Sequence, residues 1–266
     1  AIEFFKLRSF WYFLTGTIWS PGVANSQFGA LPIFAGTFVI TIIALLVAIP
    51  IGLGSAIYMS EYASPKFRDY LKPILEILAG IPTVVYGFFA AITVAPLVVK
   101  AGAFFGLEAT FNSALASGIV MGIMIIPLIS SLSDDVIRAV PDSQRKAAFA
   151  LGMTHGETIK NIVIPSAMPG IISASLLALS RALGETMIVV MAAGLRPNLS
   201  WNPLEDMTTV TVTIVNSLVG DFEFNSPETL SAFALGLMLF IVTLILNMIS
   251  LSMIRKFKEK YKVNTL

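Results

Sequence analysis

The chain has 266 residues, of which 56% are hydrophobic and 12% are charged, and its formal net charge is +1 at pH 7. Soluble domains are about 45–50% apolar and about 25% charged, so this balance excludes an ordinary soluble protein and indicates an integral membrane protein. The absence of cysteine excludes thiolate metal sites, disulfides and cysteine nucleophiles, a single histidine argues against a histidine metal cluster or a catalytic triad, and no basic stripe is present to bind nucleic acid.

The first 20 residues are predicted to lie at the membrane surface. Seven aromatic side chains are interleaved there with Glu3, Lys6 and Arg8, and aromatic residues concentrate at the level of the lipid headgroups. The apolar part is shorter than the ~20 residues that a helical span needs. We therefore expect a helix over residues 1–20 that lies on the membrane or packs on neighbours, and proline and glycine then predict a loop to residue 32.

Five apolar stretches are long enough to cross a bilayer as helices. Their predicted bounds are Ile33–Met59, Pro73–Val99, Ser113–Leu132, Ala167–Gly194 and Leu230–Ile254. Pro50 and the sequence Gly80-Ile-Pro82 predict kinks, which membrane helices tolerate where neighbours satisfy the freed carbonyl groups. No internal repeat or linker is visible, so residues 1–266 are predicted to form one all-helical transmembrane domain.

Lysine and arginine are distributed unequally between the two sides of this predicted bundle. Of the 17 such residues, twelve lie in the loop 60–72, the segment 133–166 and the C-terminal tail, four lie on the opposite side, and Arg181 lies inside a span. Because positive residues accumulate in cytoplasmic loops, the first side and the C-terminus are predicted to be cytoplasmic. A cytoplasmic native N-terminus then requires a sixth span before Ala1, and we predict that this span is missing from the sequence.

The polar segment 133–165 carries the most specific pattern. Lys146-Ala-Ala is followed after three residues by Gly152, and after nine more by Ile162-Val-Ile-Pro165. This spacing resembles the EAA loop of importer-type ABC permeases, where Glu-Ala-Ala, Gly and Ile-x-Leu-Pro stand at the same intervals. Lysine replaces the glutamate of the pattern, so the resemblance implies the loop but no acidic contact. An ordinary amphipathic linker between spans is the alternative.

We call residues 133–165 the coupling segment and expect two short helices in it. Gly152 can adopt the positive φ that ends a helix, and a second helix is expected over Thr154–Val163 and is expected to stop at Pro165. The resemblance implies that this segment docks on a separate ATPase, since the chain has no nucleotide-binding motif. The predicted docking residues are Ala147, Ala148, Gly152, His155, Glu157, Ile162 and Pro165.

Two charged residues lie inside the fourth predicted span. Arg181 and Glu185 are four residues apart, which places them on one face of a continuous helix. A charge at the bilayer centre costs ~2.5–3.5 kcal/mol on insertion scales, and pairing offsets part of this cost. Two interpretations stay open. The residues form a structural ion pair, or Arg181 presents its donor fork to a translocated anion while Glu185 aids release, with Ser180 and Thr186 adding hydroxyl groups.

Two stretches restrict the resemblance to a smaller group within this permease family. Residues 180–186, Ser-Arg-Ala-Leu-Gly-Glu-Thr, resemble one signature of phosphate ABC permeases, and residues 75–88 resemble their second signature. The resemblance extends over about residues 28–257. The positions that favour the PstC-type over the PstA-type subunit are Phe28–Pro32, Gly36-Thr37 and Gly184–Met187.

The resemblance implies that Arg181 and Glu185 serve phosphate passage. In the second signature, Thr83 and Tyr86 are three residues apart and can offer hydroxyl groups to a path. Glu76 stands near the start of the second predicted span, and a structural role for it stays equally open. The predicted path residues are Arg181, Glu185, Ser180, Thr186, Glu76, Thr83 and Tyr86.

The sequence thus predicts a multi-pass permease subunit of type I ABC importer architecture that passes inorganic phosphate through a prokaryotic inner membrane. The resemblance implies three kinds of partner, namely a PstA-type permease, a PstB-type ATPase dimer that uses ATP and Mg²⁺, and a PstS-type extracytoplasmic binding protein. No catalytic residue, metal or cofactor is predicted in this chain itself.

Three alternatives stay open. The first is a permease for another oxyanion, such as molybdate, sulfate or phosphonate, and the second is a phosphate-sensing scaffold subunit. The third, a membrane-embedded enzyme, has little support, because the adjacent acids Asp134 and Asp135 are expected to cap a helix N-terminus. The loop 195–229 and residues 1–32 are the expected docking surface for the binding protein. The acidic residues of that loop disfavour direct phosphate capture. They are Glu205, Asp206, Asp221, Glu223 and Glu228.

Overall fold

The computed structural model describes residues 1–22, 26–219 and 226–260, with side chains described as far as Arg255. Asp221 and Glu223 of the predicted docking loop, and Lys262 of the tail, lie outside the described residues. Five helical stretches in the described part are long and apolar enough to cross a membrane, which confirms the predicted all-helical membrane bundle with five spans in this sequence. These stretches are Leu31–Tyr62, Thr83–Phe104, Ala114–Arg138, His155–Leu183 and Pro227–Arg255.

The described residues form thirteen α-helices and one short antiparallel pair of strands, β1 (Trp19–Ser20) with β2 (Gln27–Phe28). Three turns of π-helix, Tyr58–Tyr62, Ala90–Val94 and Ile159–Val163, continue α3, α5 and α9. The helices are α1 (Ile2–Leu7), α2 (Phe10–Thr15), α3 (Leu31–Ile57), α4 (Pro65–Ala79), α5 (Thr83–Phe89), α6 (Ala95–Phe104), α7 (Ala114–Arg138), α8 (Asp142–Ala150), α9 (His155–Thr158), α10 (Ile164–Leu183), α11 (Met187–Ala192), α12 (Val210–Leu218) and α13 (Pro227–Lys260).

The second span lies later in the chain than predicted. Ser64 caps a helix in the stretch expected to be a polar loop, because its hydroxyl accepts a hydrogen bond from the Phe67 N–H at 3.3 Å and Pro65 occupies the first turn. The resulting helix, α4, ends at Gly80, and the membrane-length stretch begins only at Thr83. The predicted span Pro73–Val99 was therefore wrong at its start, and Glu76 lies in α4 outside the span.

The fourth span also differs from its predicted bounds. The helix begins at His155 and runs through Pro165, so the expected stop at this proline was wrong. The π-helical turn Ile159–Val163 comes immediately before it and widens the helix where the proline ring would otherwise collide with preceding carbonyl groups. At the other end, helical hydrogen bonding stops at Leu183 instead of continuing to Gly194.

The described chain divides into two compact units, and the prediction of one domain stays a prediction. Unit 1 comprises residues 1–44, 82–122 and 181–244. Its largest fully buried side chains include Phe4, Phe13 and Phe28, and the ring of Phe4 meets each of the other two edge-on at 5.4 Å between centroids. The aromatic N-terminal piece thus packs on neighbouring elements, one of the two arrangements expected for it. Its core cluster is Phe4, Phe13, Trp19, Phe28, Ala30, Ile33, Val210, Ala234 and Leu235.

Unit 2 comprises residues 45–81, 123–180 and 245–266. Its core joins the end of α3 to α7 and α10, through Ala56, Ile137, Val140, Val163, Ala167 and Ile171. Asp134 is fully buried in α7 and accepts two hydrogen bonds from Arg68 of α4, at 2.6 Å from Nη2 and 3.1 Å from Nε. Asp135 binds Lys72 of the same helix. The acid pair lies in the last turns of α7, so its expected role as an N-terminal cap was wrong.

Candidate functional site

The coupling segment has the two predicted helices. The first, α8, ends before Gly152, whose φ of +82° is the left-handed conformation expected there. Thr154 then begins α9 with a reciprocal cap: its hydroxyl accepts from the Glu157 N–H at 3.3 Å, and the Glu157 carboxylate accepts from the Thr154 N–H at 2.8 Å. The positions of Gly152 and of the second helix start are therefore confirmed, and Glu157 shapes the segment from within.

The surface of the coupling segment is partly apolar. The side chain of Leu151 is 82% exposed, and Phe149 is also exposed, next to the exposed Ala147. Exposed apolar groups that lie together are typical of a surface that binds a partner. The predicted docking residues divide accordingly. Exposed ones are Ala147, Gly152, His155 and Glu157, and those buried or half-buried are Ala148, Ile162 and Pro165.

The helix that carries Arg181 ends at Leu183, before it reaches Glu185. Arg181 lies in the last turn of α10, Gly184 follows that helix, and Thr186 has a non-helical backbone with φ −122° and ψ −51°. Spacing by one helical turn therefore does not apply, and among the described residues no ion pair joins Arg181 to Glu185. The expected pairing of these two charges was wrong, because it assumed an unbroken helix.

Glu185 instead stabilises the chain at the break between α10 and α11. Its side chain is buried, and its carboxylate accepts the N–H of Ile188 at 3.2 Å, in the first turn of α11. Its own carbonyl oxygen accepts the hydroxyl of Thr211, from α12, at 2.7 Å. Since the first N–H groups of a helix have no partner within it, the carboxylate satisfies one of them. Glu185 thus fixes where α11 begins.

In unit 1, α5 packs on α11, which begins directly after the signature stretch 180–186. Gly87 allows this approach, because a Cβ there would lie 2.8 Å from the Met191 sulfur and 3.1 Å from the Met187 carbonyl oxygen. Tyr86, in the same helix, belongs to the same compact unit as Arg181. Unit 1 thus contains five predicted path residues, which are Thr83, Tyr86, Arg181, Glu185 and Thr186.

The two other predicted path residues belong to unit 2. The Ser180 hydroxyl donates to the side-chain oxygen of Asn247 in α13, at 3.2 Å. Glu76 is exposed on α4. Among the described residues, no group of three histidine, aspartate or glutamate side chains is placed to hold a metal ion.

The loop between α11 and α12 is ordered around one acid. Glu205 accepts hydrogen bonds from the side-chain amides of Asn198, at 2.8 Å, and Asn202, at 3.0 Å. These bonds hold the pKa of Glu205 below its ordinary value, because they favour the charged carboxylate. The acid is thus occupied by its own loop, a role that its sequence position did not reveal.

Sequence reasoning missed the contacts that fix the coupling segment. Glu61, just after the first span, accepts a hydrogen bond from Arg145 at 3.0 Å, and the nearest nitrogen of His155 is 3.9 Å from the same carboxylate. The pair Glu61–Arg145 joins residues 84 positions apart. The only signal available was an acid and an arginine on the same predicted side of the membrane, which many other residues share.

Residues 48–262 match the family model described as binding-protein-dependent transport system inner membrane component. The chain belongs to this permease family. It is 34% identical over 251 residues to the Bacillus subtilis protein named probable ABC transporter permease protein YqgH, covering 94% of this chain and 78% of that protein. It is 35% identical over 262 residues to the phosphate transport system permease protein PstC of Mesorhizobium japonicum, covering 92% and 78%.

The fold of this permease is shared with solved ABC transporters. The structure of a bacterial alginate ABC transporter, in complex with a periplasmic protein bound to an alginate pentasaccharide, aligns with a TM-score of 0.65 at 15% identity. The alignment covers 96% of this chain and 85% of that chain. At such low identity the likeness concerns the fold alone, and it confirms the expected importer-permease architecture.

Proposed function

We propose that this permease is one membrane-spanning subunit of an ATP-driven importer and that its substrate is inorganic phosphate. The observation that carries the proposal is Arg181, a guanidinium that ends an apolar helix and has no ion-pair partner among the described residues. Relatives named as PstC phosphate permeases support the substrate, at 30–35% identity over more than nine tenths of the chain.

In the proposed path, Arg181 binds the phosphate through its planar set of donors, which matches the geometry of an oxyanion. Hydroxyl groups of Tyr86, Thr83 and Thr186 complete this polar lining within unit 1, and the path roles of Ser180 and Glu76 stay predictions from the sequence. Glu185 holds α11 in place beside these groups. Its carboxylate accepts the Ile188 N–H, and no ion pair joins it to Arg181 among the described residues.

The proposed partners follow from the family and from the coupling segment. A binding-protein-dependent permease receives its substrate from an extracytoplasmic protein, here of PstS type, and works with a second permease of PstA type. A PstB-type ATPase dimer, which uses ATP and Mg²⁺, docks on the exposed apolar surface around Ala147 and Leu151. This arrangement places the coupling segment and the C-terminus in the cytoplasm, in agreement with the distribution of lysine and arginine.

The first test is uptake of labelled phosphate in cells that lack their own subunit of this type. Wild type is expected to restore uptake that unlabelled phosphate inhibits and that sulfate and molybdate do not. Arg181→Gln, which keeps a polar side chain but removes the charge and the planar set of donors, is expected to reduce uptake to the background. The matched control is Arg196→Gln, because Arg196 is exposed in the loop after α11.

Different results identify the alternatives. Inhibition by sulfate or molybdate at equal concentration would assign the path to another oxyanion. Full uptake by Arg181→Gln would remove this residue from the mechanism. A wild type that assembles with its partners and restores the response to phosphate starvation, but not uptake, would favour the phosphate-sensing role.

A further inference from the structure

A buried carboxylate stands at the end of the first span. Glu61 lies in the π-helical turn that continues α3, and its side chain is only 6% exposed. An isolated carboxylate in such a place is strongly unfavourable unless it is paired and hydrogen-bonded. Among the described residues, both of its ion-pair partners come from the coupling segment. They are Arg145 of α8, at 3.0 Å, and His155 of α9, at 3.9 Å.

Arg145 connects this carboxylate to a third element. One terminal nitrogen of its guanidinium donates to Glu61 and also to the Ile137 carbonyl oxygen at 3.0 Å, and the other donates to the Val140 carbonyl oxygen. These two carbonyl groups lie in the last turn of α7 and just after it, where carbonyl groups lack helical partners. One side chain of α8 therefore binds the ends of both the first and the third span, and it is itself only 16% exposed.

The second helix of the coupling segment meets the same place through His155. Its ring lies edge-on to Tyr62, with 5.2 Å between centroids, and stacks on Phe149 of α8 at 6.3 Å with 21° between the planes. Both helices of the coupling segment are thus anchored around Glu61. We call Glu61, Arg145 and His155 the span junction.

We propose that Glu61 and Arg145 are positioning residues that transmit movement of the coupling segment to the membrane spans, so that ATP hydrolysis in the partner drives transport. This inference rests on the proposed function. When an ATPase subunit displaces α8, Arg145 moves with it and acts on α7 through the two carbonyl bonds and on the first span through Glu61. The planar fork of arginine suits this task, since it holds several acceptors in a fixed geometry.

The proposal assigns Arg145 two separable connections, one to Glu61 in the first span and one to the carbonyl groups at the end of α7. Glu61→Gln removes the charge that ties the first span to α8, while the bonds from Arg145 to α7 do not depend on it. Glutamine also keeps the size of the side chain and one acceptor oxygen. We therefore expect this variant to assemble with the ATPase and to respond to the loaded binding protein, but to convert hydrolysis into import less well.

The experiment uses the complete importer in proteoliposomes and measures ATP hydrolysis and phosphate import together. For Glu61→Gln, the number of ATP molecules hydrolysed per phosphate is expected to rise at least about fivefold, the lower end of typical coupling between sites. Arg145→Lys, which keeps the charge but not the fork, is expected to raise it as well. The matched control is Glu108→Gln, because Glu108 is exposed after α6 and lies outside the surfaces expected to bind partners, and this variant is expected to leave the ratio unchanged.

The ratio distinguishes transmission from simple bracing. If Glu61→Gln reduces assembled complex, hydrolysis and import in proportion, so that the ratio stays at the wild-type value, the junction only stabilises the fold and the proposal is overturned. If Glu61→Gln does not assemble, Arg145→Lys is measured in its place, and an unchanged ratio for that variant would overturn the proposal. Failure of the proposed function gives a different result, namely a wild-type complex that hydrolyses ATP without importing phosphate. The ratio of ATP hydrolysed to substrate imported is then measured with the oxyanion that the complex does import.

Discussion

Asp134, Glu185 and Arg181 each lie in or beside an apolar helix, and their surroundings differ. Asp134 is fully buried and receives two hydrogen bonds from Arg68. Glu185 is also buried, and it binds the first turn of α11. Arg181 differs from both, because no ion pair involves it in the part of the chain that the structure describes. A charge without a fixed partner is available to an anion that passes, which is why we place the path at Arg181.

The role of Glu185 as a cap leads to a comparison of two substitutions. Glu185→Ala removes the acceptor for the Ile188 N–H and is expected to destabilise the protein by about 0.5–2 kcal/mol, as for other helix caps. Glu185→Gln keeps an acceptor oxygen and is expected to be less destabilising than alanine. The midpoint of thermal unfolding in detergent measures both. If glutamine proves as damaging as alanine, the charge of Glu185 and not its hydrogen bond holds α11.

Helix ends, more than helix interiors, give this fold its functional shape. The break after Leu183 places Arg181 at a helix end, and Ser64 starts a helix where a polar loop was expected. In the coupling segment, Gly152 ends α8 with a φ of +82°, and no atom lies within 4 Å of the place where its Cβ would stand. Substitution there is therefore limited by the backbone conformation and not by lack of space.

Gly152→Val tests this conclusion. Left-handed backbone costs roughly 1–2 kcal/mol for a residue with a Cβ, and a β-branched side chain is worse placed still. We expect the variant to lose co-purification of the ATPase subunit and most phosphate uptake. The matched control is Gly156→Val, since Gly156 also has open space but lies within α9 without a positive φ. Equal losses in both variants would show that bulk on this surface, and not the turn, is decisive.

The same helix ends mark the limit of prediction from sequence. Gly152 could be placed because glycine adopts positive φ readily, and the five spans could be counted because apolar length is a local property. The pairing of Arg181 with Glu185 was wrong because its spacing assumed a continuous helix, which the chain abandons at Gly184. The Glu61–Arg145 pair joins residues 84 positions apart, and no local pattern reports such a contact.

The five spans and the distribution of lysine and arginine together predict how the chain is oriented in the membrane. Most lysine and arginine residues occur on the side that holds the coupling segment, and cytoplasmic loops carry such an excess. ATP is available to a partner only on that side. The predicted orientation and the proposed ATPase docking therefore depend on each other. The orientation is inferred from charge, and the docking is inferred from the shape of α8 and α9.

Labelling of single cysteines tests this orientation without background, because the chain contains no cysteine of its own. Leu151 is 82% exposed in the coupling segment, and Trp201 is 74% exposed in the loop between α11 and α12. In intact spheroplasts that express the permease without its ATPase subunit, a maleimide that does not cross membranes is expected to label Trp201→Cys and to label Leu151→Cys only after permeabilisation. Trp201→Cys serves as the control for reagent access, and uptake by both variants shows that they assemble. Labelling of Leu151→Cys in intact spheroplasts would place the coupling segment outside, and an ATPase on the opposite side of the membrane has no means to dock there.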